Sequence, residues 1–220
     1  MEWTQMPNLH GYTIKGASRI KIIMLICVIS YIIYIILRYY LSDVINIEQF
    51  NHGYIAIPIT FSCIFGLLFM IFDKYLWKCY IINRLLKTPN ISGRWKCIGE
   101  SFKKSSSELQ EKGVINIEPQ YNWEADINII QTWTNICIIL NTKQSGSKSF
   151  MAQIEAIDKN YCQLTYAYTN ITSAGADTDM RNHEGICRIC FTENITNGNG
   201  EYFTNPKDRL SYGKMKWTKV

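Results

Sequence analysis

The residues of this sequence that could do chemistry suit ligand binding better than catalysis. The chain has no phosphate-cradling Gly-x-x-x-x-Gly-Lys loop, no nucleophile elbow and no His-Glu-x-x-His helix. His183 is the only histidine after residue 52, so it is the one candidate for a general base in the C-terminal part. A single histidine in a loop is usually just solvated. We therefore predict that the protein is not an enzyme.

Metal and redox sites are also disfavoured. Asp177 and Asp179 could share a cation, but they lie in a loop-like stretch rich in small residues. Cys187 and Cys190 form a single Cys-x-x-Cys without a second pair, in a strand-like run where residues three apart point to opposite faces. The sequence therefore predicts no metal and no cofactor.

The remaining residues suit a nucleotide ligand. Aromatic rings can stack on bases, hydroxyl and amide groups can bind base edges, and guanidinium groups can pair with phosphate. The candidates of this kind are Trp133, Tyr166, Tyr168, Tyr202, Arg188 and Arg209. Arg188 shares a strand face with Ile186 and Cys190, so it either enters the interior, where its charge must be paired, or marks the outer surface.

The charge distribution argues against a nucleic-acid scaffold. The net charge of +5 divides into +4 for residues 1–88 and +1 for residues 89–220. A domain that holds long polyanions needs a basic face, and the C-terminal part is almost neutral. We therefore expect neither DNA nor RNA as a partner.

Two apolar stretches predict a membrane hairpin in residues 1–88, with spans at about 20–41 and 53–72. No cleavage site follows the first stretch, which argues against a signal peptide. Basic residues flank the outer ends of both spans, so both termini and the C-terminal domain should be cytoplasmic, in a multi-pass protein of the inner membrane. Spaced apolar residues from Leu76 to Leu86 predict that the second helix continues as an amphipathic stalk.

Residues 89–220 change to two-residue alternation broken by turn clusters, which predicts an all-β domain. Strands are expected at 91–99, 122–133, 135–142, 149–157, 160–170, 184–193, 200–205 and 212–218. Short connections favour antiparallel up-and-down order, and closing the sheet removes exposed edges. We therefore predict an eight-stranded antiparallel up-and-down β-barrel that is either filled or holds one small ligand.

The alternation also assigns faces. The residues expected to point inward are Trp123, Ile127, Ile129, Gln131, Trp133, Phe150, Ala152, Ile154, Ala156, Cys162, Leu164, Tyr166, Tyr168, Asn170, Met215 and Trp217. The face from Cys162 to Asn170 changes from apolar to hydroxyl and amide, as the mouth of a pocket for an amphipathic ligand requires. The alternative is a filled core whose tyrosines bond to one another.

The order of these parts resembles a known family. Two spans are followed by the run from Pro89 to Trp95, with a lipocalin-like Gly-x-Trp, and by the closing run GEYFTNPKDRLSYGKMKW. Together with Tyr168-Thr169-Asn170 and the run from Asn182 to Gly185, this resembles the two-transmembrane β-barrel effectors of bacterial CBASS (cyclic-oligonucleotide-based antiphage signalling) systems.

The resemblance implies a barrel that binds a cyclic oligonucleotide, most simply a cyclic dinucleotide, made by a companion nucleotidyltransferase. Binding would promote homo-oligomers in the lipid bilayer, disrupt the inner membrane and kill the infected cell. The resemblance adds Arg94, Asn170, His183 and Thr204 to the expected site. The expected ligand-binding set is therefore Arg94, Trp133, Tyr166, Tyr168, Asn170, His183, Arg188, Tyr202, Thr204 and Arg209.

Two other functions fit the sequence. A membrane-anchored, lipocalin-like carrier would hold an apolar metabolite or a lipid in a dry aromatic interior that no arginine reaches. A structural anchor would have a filled barrel.

Overall fold

The computed structural model describes residues 8–15, 19–41, 53–86, 88–102, 121–156, 161–173, 182–192, 194–205 and 211–220. The chain divides into two compact units. One unit, residues 17–86, is helical, and the other combines the first 16 residues with residues 87–220. The β unit therefore contains an N-terminal segment that the sequence analysis had assigned to the membrane part.

The helical unit contains α1 (Arg19–Leu41), α2 (Gly53–Lys74) and α3 (Tyr80–Leu86). Within the described residues, one helix is long and apolar enough to cross a membrane, over Arg19–Tyr40 near the N-terminus. The second predicted span corresponds to α2, whose Phe61 ring meets Tyr31 and Tyr34 of α1 edge-on at 6.4 Å. The membrane hairpin itself stays a prediction.

The predicted stalk is not one continuous helix. A 3-10 turn at Leu76–Lys78 separates α2 from α3, because Tyr75 and Cys79 on either side of it have non-helical backbone angles. This break places Trp77 in a fully buried position. The three- and four-residue spacing of the apolar residues correctly indicated helix, but it carried no signal for the interruption.

In the described residues of the β unit, nine strands form one sheet that closes into a ring. The strands are β1 (His10–Lys15), β2 (Gly93–Phe102), β3 (Tyr121–Gln131), β4 (Asn135–Asn141), β5 (Ser145–Ala156), β6 (Cys162–Thr172), β7 (His183–Phe191), β8 (Asn197–Thr204) and β9 (Tyr212–Lys219). From β2 to β9, each strand pairs antiparallel with the next, and β9 returns to pair with β2. All eight predicted strands are present, but the sheet contains a ninth.

The ninth strand, β1, lies where β4 and β5 separate. Those two strands pair with each other only beside their turn, from Asn141↔Gly146 to Ile139↔Lys148. Beyond that point β1 fills the gap, antiparallel to β4 at His10 and Gly11 and parallel to β5 from Tyr12 to Lys15. The strand was missed because its alternation covers only six residues and lies only a few residues before the first apolar helix.

The buried side chain of Gln131 joins β1 to the segment that enters β2. Its Nε2 donates to the Tyr12 hydroxyl at 3.0 Å and to the Pro89 carbonyl at 3.1 Å. Its Oε1 accepts from the Ile91 backbone N–H at 2.9 Å. One amide therefore satisfies buried polar groups on two segments far apart in sequence.

Replacing Gln131 with leucine should lower the stability of the β unit by about 2 to 3 kcal/mol, because it leaves the buried N–H of Ile91 without its acceptor. The midpoint of thermal unfolding, followed by tryptophan fluorescence, checks this. Gln153→Leu, on the exposed face of β5, is the matched control and should leave the midpoint unchanged. Equal midpoints for both variants would show that the Gln131 hydrogen bonds contribute nothing.

Large aromatic side chains fill the end of the ring at which β2 begins. The Trp95 ring lies 5.2 Å from Phe191 and 6.2 Å from Trp217, and all three are buried. Gly93, the glycine of the Gly-x-Trp motif, has a φ of 125°, which L side chains rarely adopt. This glycine therefore lets β2 begin in the orientation that places Trp95 at the floor.

The inward assignments are confirmed along β3, β6 and β9, but not for Phe150. The pairing of β5 with β6 shifts register between Ser149 and Met151, which marks a β-bulge. A bulge adds one residue and reverses the alternation, so Phe150 and Met151 are both exposed while Ala152 and Ile154 stay buried. Ala156, at the end of the strand, is exposed as well.

Candidate ligand-binding cavity

A cavity of about 690 Å³ opens inside the ring, at the end opposite the tryptophan floor. This end, which we call the mouth, is where β2, β4, β6 and β8 finish and β3, β5, β7 and β9 begin. The volume falls within the range of pockets that bind small molecules, roughly 300 to 1,000 Å³. The ring therefore does not have a completely filled core.

Four buried or half-buried aromatic residues line the cavity, and we call them the aromatic wall: Trp123, Tyr166, Tyr168 and Tyr202. The exposed Tyr121 also lines the cavity. Trp123 meets Tyr202 edge-on at 5.9 Å, and Tyr166 lies 6.1 Å from Tyr168. The Tyr202 hydroxyl and the Trp123 Nε1 both bond to the Ser101 hydroxyl, at 2.5 and 3.1 Å. These contacts fix the orientation of two rings against which a flat ligand could stack.

A belt of buried polar residues surrounds the cavity near the mouth. We call it the polar belt, and it consists of Ser145, Ser147, Asn170, His183, Thr204 and Ser211. Each of these side chains is buried by the protein, and each lines the cavity. The protein itself supplies partners for several of these groups, as Ser211 does for Thr204, and leaves the Asn170 Oδ1 without one. The belt is therefore a polar lining that suits a ligand with hydrogen-bonding groups better than an apolar one.

Asn170 is the most informative member of the polar belt. Its Nδ2 donates to the Ser145 hydroxyl at 3.1 Å, which orients the amide. Its Oδ1 is buried and accepts no hydrogen bond. An orphan acceptor of this kind costs about 1 to 3 kcal/mol unless something donates to it. The arrangement therefore suits a ligand with an N–H or O–H group at this depth.

Gly185 makes room for the Tyr168 ring. A Cβ at Gly185 would come within 2.5 Å of the Tyr168 hydroxyl oxygen and 2.6 Å of the Phe203 carbonyl oxygen. Tyr168 and Gly185 are direct register partners on β6 and β7, so the ring lies across the space that a side chain would occupy. The position of Gly185 in the run from Asn182 to Gly185 is therefore explained by the space that the Tyr168 ring needs.

The charged groups that line the described part of the cavity are few. Lys143, in the turn between β4 and β5, is the one lysine or arginine among them, and Glu100 and Glu124 are the carboxylates. All three side chains are exposed to solvent. Charged ligand groups are therefore best accommodated near Lys143, and uncharged groups deeper inside.

Burial keeps the groups deep in the cavity uncharged. It raises the pKa of the Tyr166 hydroxyl well above 10, with smaller contributions from Cys187. It also raises the pKa of the Cys187 thiol to about 12, against a partly opposing hydrogen bond from Tyr166. Both groups therefore stay protonated at neutral pH, so the tyrosine hydroxyl keeps its proton to donate.

The raised thiol pKa values predict selective alkylation. The thiolate is the reactive form, and at pH 8 only about one in ten thousand groups with a pKa near 12 carries it. In the folded chain at pH 8, iodoacetamide should modify the exposed Cys190 and leave Cys162 and Cys187 unmodified. Peptide mass spectrometry measures this, with the denatured chain as control. Rapid modification of Cys187 in the folded chain would contradict the burial described.

The structure brings six of the ten predicted site residues to the cavity: Tyr166, Tyr168, Asn170, His183, Tyr202 and Thr204. Trp133 is buried but does not line the cavity. Arg94 and Arg188 lie on the outer face of the ring, where Arg188 forms an ion pair with Glu201 at 3.9 Å. Arg209 lies outside the described residues. Direct ligand contact for Arg94 and Arg188 is therefore not supported, and the contacts of the other residues stay a prediction.

Sequence reasoning missed several lining residues, namely Ser101, Trp123, Lys143, Ser145, Ser147 and Ser211. Trp123 was assigned inward but not to the site. Ser145 and Ser147 were missed because the predicted strand began at 149, whereas β5 begins at Ser145. Their alternation with Gly146 and Lys148 was the available signal.

The fold and the cavity define a class, a small-ligand binding domain built on a closed β-sheet. Residues 86–219 match the family described as "Cap15, cyclic dinucleotide receptor domain". The chain is also 31% identical over 150 residues to "CD-NTase-associated protein 15" of Yersinia aleksiciae, a match that covers 68% of this chain and 64% of that protein. The chain therefore belongs to the Cap15 family.

Family membership confirms the resemblance to CBASS effectors. The ligand class expected from that resemblance, a cyclic dinucleotide, is the one named in the family description. The matched residues include the whole ring except β1, and thus every strand that lines the cavity. Among the described residues, no cluster of three potential metal ligands occurs.

Proposed function

We propose that this chain is a CBASS effector whose barrel binds a cyclic dinucleotide in the cavity described above. The observation that carries the proposal is the polar belt of six buried side chains beside the aromatic wall, inside a cavity of about 690 Å³. A cyclic dinucleotide combines flat bases, which stack on aromatic rings, with base edges and hydroxyls that need hydrogen-bond partners. The belt favours this ligand over the apolar ligand of a carrier.

The charges suggest how the ligand would be oriented. Bases would enter toward Tyr166 and Tyr168, where uncharged rings and buried polar groups meet. The two phosphates would stay near the mouth, because burying a charge without a partner is costly and Lys143 lies there. This orientation keeps the anionic part of the ligand in contact with water.

The membrane steps extend the proposal. Helix α1 would anchor the chain in the inner membrane with α2 as a second span, and both termini would be cytoplasmic. Binding would promote homo-oligomers, and the gathered helices would disrupt the bilayer and kill the infected cell. The name of the relative, a CD-NTase-associated protein, supports a companion nucleotidyltransferase as the source of the ligand.

A vesicle leakage experiment tests this function. The full chain is reconstituted into dye-loaded vesicles, and cyclic di-AMP, cyclic di-GMP or cyclic GMP–AMP is added. We expect dye release with at least one of them and none with linear dinucleotides. Ile29→Arg should abolish release because it places a charge in the middle of α1, whereas Ile20→Arg at its start should not. Ligand binding without release in the unmodified chain would reject membrane disruption.

A further inference from the structure

The outer face of the ring carries an apolar row whose large side chains on β5, β7 and β8 are exposed, while the small Ala167 between two of them is buried. It consists of Met151, Ala167, Ile186, Phe203 and Tyr212, one from each of the five neighbouring strands β5 to β9, and we call it the outer row. Each member is the direct register partner of the next. Met151, Ile186 and Phe203 are 59%, 52% and 50% exposed. Contiguous apolar surface of this kind commonly marks an interaction site.

A polar row runs beside the outer row, two residues further along each strand toward the floor of the ring. Thr165, Arg188, Glu201 and Lys214 are successive register partners there. Arg188 and Glu201 are about half exposed, and their ion pair of 3.9 Å is long. An apolar centre with a polar rim of both charges is the usual anatomy of a protein interface.

The register makes this surface self-complementary. A two-fold axis that runs parallel to β7 and β8, midway between them, brings each β7 residue opposite its β8 register partner in a second copy. Ile186 of one copy then meets Phe203 of the other, and Arg188 meets Glu201. The same rotation keeps the mouths of both rings at the same end. We propose that the outer row is the contact through which two copies of this chain associate.

The charges favour a second copy over the lipid surface as the occupant. A surface that binds anionic lipids carries a cluster of lysine and arginine. Here the polar row alternates Arg188, Glu201 and Lys214, which leaves little net charge and matches its own image across the axis. The row has only five members, whereas a stable complex uses about 20 to 30 residues a side. Association should therefore depend on confinement in a membrane, which raises the effective concentration.

The same strand segments that carry the outer row also line the cavity. On β7, Gly185 and Cys187 face Tyr168 and the cavity on either side of Ile186, and on β8 Tyr202 and Thr204 flank Phe203. A ligand that contacts Tyr168 and Thr204 therefore acts on the two strands that would meet in the second copy. This inference rests on the proposed function, in which ligand binding promotes association.

Disulfide trapping in vesicles tests the contact. One tagged full chain carries Ile186→Cys and another carries Phe203→Cys, and the native exposed Cys63, Cys79 and Cys190 are replaced by serine in both. After addition of cyclic di-GMP, cyclic di-AMP or cyclic GMP–AMP and a mild oxidant, we expect a disulfide between the two tags. Asn128→Cys, on the outer face of β3 across the ring, replaces Ile186→Cys in the control and should give none.

A charge exchange between copies provides the second test. Arg188→Glu and Glu201→Arg should each weaken ligand-dependent association when expressed alone, because like charges then face one another. Mixing the two variants should restore it, since each copy then offers the complementary charge to the other. In either variant, positions 188 and 201 of the same chain carry like charges, so no ion pair can re-form within one chain. Restored association on mixing therefore reports a contact between copies.

The two tests separate the possible failures. Ligand binding is measured on the same samples by calorimetry. Binding with dye release, but with neither trapping nor rescue on mixing, would overturn the outer row as the contact and leave the proposed function intact. Absence of binding by every ligand would instead count against the proposed function. Equal trapping by Asn128→Cys would also overturn the inference, because it indicates random collision.

Discussion

Replacing Asn170 with leucine should weaken cyclic dinucleotide binding by about 10- to 100-fold, as the loss of one buried hydrogen bond worth about 1 to 3 kcal/mol requires. Leucine has the same branching of side-chain heavy atoms as asparagine, so the substitution changes the chemistry of the site more than its shape. The substitution removes the buried Oδ1 that accepts no bond within the protein, and also the donor to Ser145. The donor group of the ligand would then be buried without an acceptor.

Calorimetric titration of the detergent-solubilised full chain measures this loss. Asn128→Leu is the control, since Asn128 lies on the exposed face of β3 and should keep full affinity. Thermal unfolding shows whether the Asn170→Leu ring remains folded, and we expect it to be at least as stable, because an orphan acceptor is removed. Full affinity in a folded Asn170→Leu chain would mean that the ligand does not reach this depth.

Removing β1 should destabilise the β unit strongly. A fragment of residues 87–220 contains all but the first residue of the family match, but it lacks the strand that fills the gap between β4 and β5. It loses the buried Tyr12, worth about 2 kcal/mol in apolar burial alone, together with the strand hydrogen bonds. It also exposes edges at Asn135–Ile136 and Ala152–Glu155, which invite aggregation.

We therefore expect this fragment to unfold at a midpoint at least about 10 °C below that of a matched chain, given a loss of several kcal/mol. In the matched chain, residues 8–15 are joined to residue 87 by a flexible Gly/Ser linker in place of the helices. Size-exclusion chromatography and thermal unfolding compare the two. Equal midpoints and equal monomer fractions would show that β1 is dispensable, and the ring would then close through β4 and β5 alone.

The two-residue alternation of apolar and polar residues identified most strands of the ring, because one face of each strand is buried and the other is exposed. From Cys162 to Asn170, every second side chain enters a closed interior, so period and environment agree. The alternation predicted an inward side chain for Phe150, and this was wrong. A β-bulge adds one residue there, and the residue types do not reveal it. The alternation was too short a signal at β1, which alternates over only six residues and whose pairing partners follow more than a hundred residues later.

The site was predictable where a strand ends inside the ring and less so elsewhere. Tyr168 and Asn170 could be placed on the inner face because their strand alternates up to the mouth, whereas Thr204 was expected only from the family resemblance. Arg188 could not, since a strand face alone does not say which side is the interior until the ring closes; the structure places it outside, near Glu201. Ser145 and Ser147 were missed because small polar residues resemble a turn until the neighbouring strands bury them.

Titration of the folded full chain with cyclic di-AMP, cyclic di-GMP, cyclic GMP–AMP and their linear counterparts tests the central claim most directly. We predict that one cyclic dinucleotide binds with a dissociation constant of about a micromolar or tighter and that its linear counterpart binds much more weakly. Asn170→Leu should remove most of the heat of binding. No binding by any of them to a chain shown to be folded, with a fatty acid binding instead, would contradict the central claim and favour the carrier.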